Sequence, residues 1–108
     1  MRQFRSPLLY RWMITSFGDK ETAKVFKGEF SKKLPREIQR GAQQKLIILD
    51  KTEDIKSLWA LPGMRAEKLT VKGVSNLWSV RINGQWRICF LWTEEPPQAS
   101  NVEIVDYH

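Results

Sequence analysis

The chain has one cysteine, Cys89, and one histidine, His108. A single thiol cannot close an internal disulfide, and a cysteine-based zinc site needs more thiolates than one. Both facts suit a reducing compartment. With one imidazole and one thiol, no catalytic transition metal is expected, and no cofactor is implied. No apolar run approaches the roughly 20 residues of a membrane-spanning helix. The first twelve residues carry Arg2, Arg5 and Arg11 without a sustained apolar segment, so no secretory leader is expected. No glycine loop of the phosphate-cradling kind is present, and no Ser-His-Asp or Cys-His arrangement stands out.

What is present fits one cytoplasmic globular domain. The chain's 108 residues suffice for a single core. Its five tryptophans are many for that length and are expected mostly in the core or at interfaces. The formal charge of +6 is uneven. Residues 1–54 hold 12 Lys/Arg against 7 Asp/Glu, whereas residues 55–108 hold 6 against 5. Such an excess favours polyanions, although a basic surface that merely keeps the protein soluble explains it equally well.

The hydrophobic pattern is helical first and alternating later. Residues 14–17 read as a short first strand. Asp19 is a good N-cap for a helix bearing Ala23, Val25 and Phe26. Gly28 suits its C′ stop, with Phe30 folding back onto it. Pro35 opens a second helix to about Asp50, with Leu34, Ile38, Ala42, Leu46 and Leu49 along one face. Thr52 is the expected cap of a further turn through Leu58, ended by Leu61-Pro62-Gly63. Strands are expected at residues 67–71, 77–82, 85–92 and 102–107, with a polar loop at 94–101.

Asn83-Gly84 is a strong signal for a two-residue type I′ hairpin. That turn would set Ile82 opposite Gln85, Val80 opposite Arg87 and Trp78 opposite Cys89. Arg87 would then share a face with Val80 and Ile82, while Trp86, Ile88 and Phe90 would share the other with Ser79 and Arg81. The fold expected is α+β: a small, mostly antiparallel sheet with N-terminal helices packed on one face.

Chemistry is concentrated late in the chain. Alternation places Asp106 and His108 on one face of the last strand and Tyr107 on the other. An imidazole can move protons near neutrality, and neighbouring carboxylates favour its charged form. A terminal Asp-Tyr-His is in most proteins a solvated tail, but here a strand leads into it. Arg81 and Arg87 lie in central strands, where they could bind phosphate or make structural ion pairs. Arg65, Lys68 and Lys72 sit around the turn and strand before the hairpin, where such residues are more often solvated charges than ligands. Trp78 and Trp92 could stack on bases, with core packing the default for both.

Residues 79–92, S-V-R-I-N-G-Q-W-R-I-C-F-L-W, and residues 102–108, V-E-I-V-D-Y-H, resemble the C-terminal core of HigB-type toxins of the RelE superfamily. Pro62-Gly63, Arg65, Glu67, Leu69 and Lys72-Gly73 share in the likeness. The opening Met13-Ile14-Thr15-Ser16-Phe17, followed by Asp19-Lys20, resembles the family's usual start. The likeness thus covers residues 13–108 as one toxin domain and leaves residues 1–12 as an extension or an alternative start.

The resemblance implies the toxin of a type II toxin–antitoxin pair, a ribosome-dependent, metal-independent endoribonuclease that cuts mRNA and stops growth. It implies a HigA-like helix-turn-helix antitoxin as partner, with operator DNA bound only through the complex, and no membrane partner. His108, Asp106, Tyr107, Arg87 and Lys72 match family positions implicated in cleavage. Arg65, Lys68 and Arg81 are the expected RNA-phosphate ligands. Some relatives carry a second histidine where this chain has Leu69. That difference favours a rival reading, a binding module of the toxin–antitoxin complex that inhibits translation or regulates transcription without cutting.

Overall fold

The computed structural model describes residues 12–107. Three helices, α1 (Lys20–Phe26), α2 (Arg36–Lys51) and α3 (Ile55–Trp59), precede a 3₁₀ turn (Pro62–Met64) and four strands. The strands β1 (Glu67–Lys68), β2 (Leu77–Arg81), β3 (Trp86–Glu94) and β4 (Pro97–Asp106) form an antiparallel meander in sequence order. The expected α+β architecture is therefore the one found.

Each helix begins for a local reason. At α1 the Asp19 carboxylate accepts the Thr22 N–H at 2.7 Å, and Gly28 follows the helix at φ +85°. At α2 Pro35 is itself the cap residue, and the apolar stripe Ile38, Ala42, Leu46 and Leu49 is buried. At α3 the cap is Asp54, not Thr52: its carboxylate accepts the Ser57 N–H at 2.7 Å. That bond holds the Asp54 carboxyl below its ordinary pKa. Thr52 instead donates its hydroxyl back to the Ile48 carbonyl at 2.8 Å. Phe30, which follows α1, is half exposed, with the Arg36 guanidinium 4.7 Å from its ring centre.

The α2 stripe packs on the sheet face bearing Val80, Ile88, Phe90 and Trp92, together with Ala99, Val102 and Ile104 of β4. Two polar side chains lock helices to this layer. Thr22 is buried; its hydroxyl accepts the Ile104 N–H of β4 at 2.9 Å and donates to Asp19 at 3.1 Å. The buried Asp50 carboxylate accepts the N–H groups of Met13 and Ile14 at 3.2 and 2.9 Å. The incoming chain is thereby held beside β4, where Ile14 and Phe17 form isolated parallel bridges to Ala99 and Val102. The expected first strand is thus a pair of bridges rather than a continuous ladder.

Three further expectations need correction. β1 spans only two residues, because Val71 already enters the tight turn to Val74. Residues 94–101 are not a loop: β4 starts at Pro97. Alternation is broken there by a bulge, since Cys89 pairs with Glu103 but Leu91 with Ser100. Asn101, at φ +52°, supplies the extra residue, and this lets Ala99 and Val102 both face the core.

The third correction concerns the hairpin. Arg81 pairs with Arg87 and Val80 with Ile88, one residue away from the expected register. Asn83 and Gly84 are not among the described residues with positive φ, so the turn is not type I′. The Asn83 side chain instead accepts the N–H groups of Gln85 and Trp86, each at 2.8 Å, and closes the longer turn. The shift by one moves Arg87 off the face of Val80 and onto that of Ser79 and Arg81.

Two stability measurements check this account. Gly73 is at φ +80°, whereas a Cβ on Gly84 would meet only the Arg81 guanidinium, at 3.6 Å. Gly73→Ala should destabilise by roughly 1 kcal/mol or more, and Gly84→Ala by less than about 0.5 kcal/mol. A type I′ turn would make Gly84 costly too, so urea denaturation of the two variants separates the registers. Thr22→Val should cost about 1–3 kcal/mol by leaving the Ile104 N–H buried without an acceptor. Thr22→Ser should recover most of that loss at an unchanged denaturant slope.

Candidate functional site

The sheet face turned away from the helices carries Glu67, Arg81, Arg87 and Glu103. β2 contributes Ser79 and Arg81, and β3 contributes Arg87 and Cys89. Arg81 and Arg87 are direct cross-strand partners, an arrangement that places like charges side by side and is unfavourable unless something offsets it.

Arg87 is held on several sides. Its side chain is 12% exposed. Nε donates to the buried Ser79 hydroxyl at 2.8 Å, and Nη2 donates to the Arg65 carbonyl at 3.1 Å. Nη2 also lies 3.3 Å from the Glu67 carboxylate, which is half exposed. The guanidinium carbon is 5.2 Å from the centre of the Tyr107 ring. Arg81 turns the other way, donating Nε to the Asn83 carbonyl at 3.2 Å.

Arg65 sits just past the 3₁₀ turn at φ +46° and ψ +48°. A non-glycine residue in this region is strained, and such strain gathers at functional sites. Here it aims a carbonyl at Arg87. Arg65, Arg81, Arg87 and Glu67 line an open cleft of about 440 Å³, walled on its apolar side by Trp59, Leu61 and Pro62. Three arginines and one glutamate line it, so the cleft carries net positive charge.

The end of β4 brings Tyr107 to the same place. Val105 lies opposite Arg87, and two residues on, Tyr107 returns to that face, its N–H bonded to the Gln85 carbonyl at 2.6 Å. Asp106 pairs with Trp86 and points to the other face, where it accepts from the Gln85 amide at 3.2 Å. Asp106 and Tyr107 thus lie on opposite faces, as alternation dictates. His108 lies outside the described residues.

Of the residues singled out from sequence, the fold gathers Arg65, Arg81, Arg87 and Tyr107. It does not bring Lys68 or Lys72 into the cleft. Lys68 pairs with Trp78, so it faces away from Glu67. Lys72 is exposed in the turn at residues 71–74. Trp78 packs against the core and Trp92 is buried in it, so neither offers a ring to a base.

Sequence reasoning missed the apolar wall. The only signal was a tryptophan at the end of a short helix before Leu61-Pro62-Gly63. It also gave Glu67 no role as the counter-charge of Arg87. Cys89 shares this face. Burial, and then the nearby Glu103 carboxylate, push its thiol pKa up, so it is not an activated nucleophile. Among the described residues, no group of three or more metal-ligating side chains occurs.

No curated protein matches the chain. A family model described as the RelE-like toxin of the type II toxin–antitoxin system HigB matches residues 15–108. That span takes in all three helices and all four strands, so the chain belongs to the HigB-like family of RelE-like toxins.

Proposed function

We propose that this toxin cuts mRNA on the ribosome and uses the cleft around Arg87 as its active site. The observation that carries the reading is the direct opposition of Arg81 and Arg87 beside Arg65. Like charges on directly paired strand residues are unfavourable by themselves, and a phosphate between them would offset that cost.

The substrate's 2′-hydroxyl attacks the adjacent phosphorus. The P–O2′ bond forms, the P–O5′ bond breaks, and the products are a 2′,3′-cyclic phosphate and a free 5′-hydroxyl. The 2′ proton must leave and the departing 5′-oxygen must gain one. His108 is the assigned acid for the 5′-oxygen. Asp106 orients it or accepts a proton, and since it points to the opposite face this requires the chain end to reach round the edge of β4. Arg87 meets the charge that develops on the phosphoryl oxygens, with Lys72 assisting, and Tyr107, stacked on Arg87, positions phosphate or base. Arg65, Arg81 and Lys68 bind flanking phosphates. Lys68 and Lys72 lie outside the cleft as it stands, so their part requires the substrate to extend past β1.

The antitoxin we assign is HigA-like, with a helix-turn-helix domain, and operator DNA is bound through the complex. The setting is the cytoplasm, where ribosomes and mRNA are. No helix among the described residues is long and apolar enough to cross a membrane.

Induction of the chain in cells, with the 5′ ends of mRNA mapped by primer extension, tests this reading. Wild type should create new ends and arrest growth. His108→Ala should lower cleavage by about 10²–10⁴-fold, the usual contribution of a general acid. Unchanged cleavage by that variant would remove His108 from the mechanism. Arg87→Lys keeps the charge but loses the Ser79 and Arg65 contacts, and should cost on the order of 10²-fold. Growth arrest by wild type without new ends would establish the non-cleaving module instead.

A further inference from the structure

α3 delivers two neighbouring side chains to opposite environments. Leu58 is fully buried, while Trp59, about 100° further round the helix, is 67% exposed. Indoles are normally well covered, because their large apolar surface is costly to leave in water. Beside it Leu61 is 43% exposed, and Pro62 continues the same wall. The wall belongs to the cleft that holds Arg65, Arg81 and Arg87. A flat aromatic face next to a row of cations is the arrangement that holds single-stranded nucleic acid: the ring takes a base and the cations take the backbone.

We propose that Trp59 is a stacking platform for one base of a single-stranded RNA whose phosphates lie against Arg65, Arg81 and Arg87. The inference rests on reading the cleft as an RNA site, and it adds a base-binding residue outside the segments that carry the family resemblance. Charge and shape together favour RNA over a protein partner: the three arginines suit a phosphate backbone, the indole suits a base beside it, and Glu67, the carboxylate that lines the cleft among the described residues, is already paired with Arg87. Duplex RNA is unsuited, because its bases are stacked on one another and unavailable to the ring.

The test uses the full chain and a labelled single-stranded 2′-O-methyl oligoribonucleotide, which has no free 2′-hydroxyl to attack and stays intact. Binding is read by fluorescence anisotropy for wild type, Trp59→Ala and Trp59→Phe. Trp59→Ala should weaken binding by about tenfold or more and Trp59→Phe by much less, as loss of one stacked base predicts. The salt dependence of binding should be the same in all three, because the phosphate contacts remain. A strand of the same length made of abasic units should bind wild type and Trp59→Ala equally.

Equal binding of the 2′-O-methyl strand by wild type and Trp59→Ala would overturn the proposal, as would no measurable binding by wild type. A defect of Trp59→Ala that persists on the abasic strand would also overturn it, since the cleft itself would then be altered. So would a loss of antitoxin affinity with RNA affinity intact, which would make Trp59 part of a protein interface. Trp59-dependent binding without mRNA cleavage in cells would leave this inference standing while the cleavage reading fell. Cleavage with an unchanged KM in Trp59→Ala would do the reverse.

Discussion

A guanidinium removed from water must be surrounded by acceptors, and in this protein that requirement falls on Arg87. An Arg in the middle of a sheet has two places to go. On the inner face it would meet Ile88, Phe90 and the apolar stripe of α2, with nothing to accept its protons. On the outer face it meets the Ser79 hydroxyl, the Arg65 carbonyl, the Glu67 carboxylate and the Tyr107 ring. These partners come from β2, the segment after the 3₁₀ turn, β1 and the end of β4. One side chain therefore ties together four separated stretches of chain, and the strained backbone at Arg65 is held by a bond that only the outward register allows.

That register depends on the inner layer being right. The Asn101 bulge lets Ala99, Val102 and Ile104 all reach the core, and so fixes where β4 stands when it passes Arg87. The Thr22 hydroxyl then clamps β4 at Ile104, three residues before Tyr107. The same hydroxyl bonds the Asp19 cap, so the start of α1 and the approach to Tyr107 share one buried group. Helix capping, usually a local affair, here helps to position a residue of the cleft.

Much of this was legible in the sequence, and the failures share a cause. The Asp19 cap, the Gly28 stop and the stripe of α2 are local signals that nothing in the tertiary structure opposed. The Asn83-Gly84 hairpin was misread because Asn83 closes its turn with its side chain, which removes the need for positive φ at either residue. The error was one residue in register, yet it placed Arg87 on the wrong face, because strand side chains alternate with period two. Residues 94–101 were misread because two prolines and a bulged asparagine hide a strand that the neighbouring ladder enforces. Around the cleft, the cations Arg65, Arg81 and Arg87 could be picked out from sequence, as could the alternation that sends Tyr107 to the face of Arg87 and Asp106 to the other. Trp59 could not be, since exposure of an aromatic is decided by what the rest of the fold leaves uncovered.

The energetics of the cleft point in one direction. Glu67 is 52% exposed, so its pairing with Arg87 is a solvent-screened contact that contributes little to stability. In the proposed reading, a substrate phosphate would displace that carboxylate at small cost, while the Ser79 and Arg65 bonds keep the guanidinium aimed. Arg81, placed directly across from Arg87, would gain from the same proposed event, because an anion near two like charges offsets their repulsion. The fold thus carries an unfavourable cation pair, which the phosphate of the proposed substrate would offset, and a left-handed Arg65 whose carbonyl is held by Arg87.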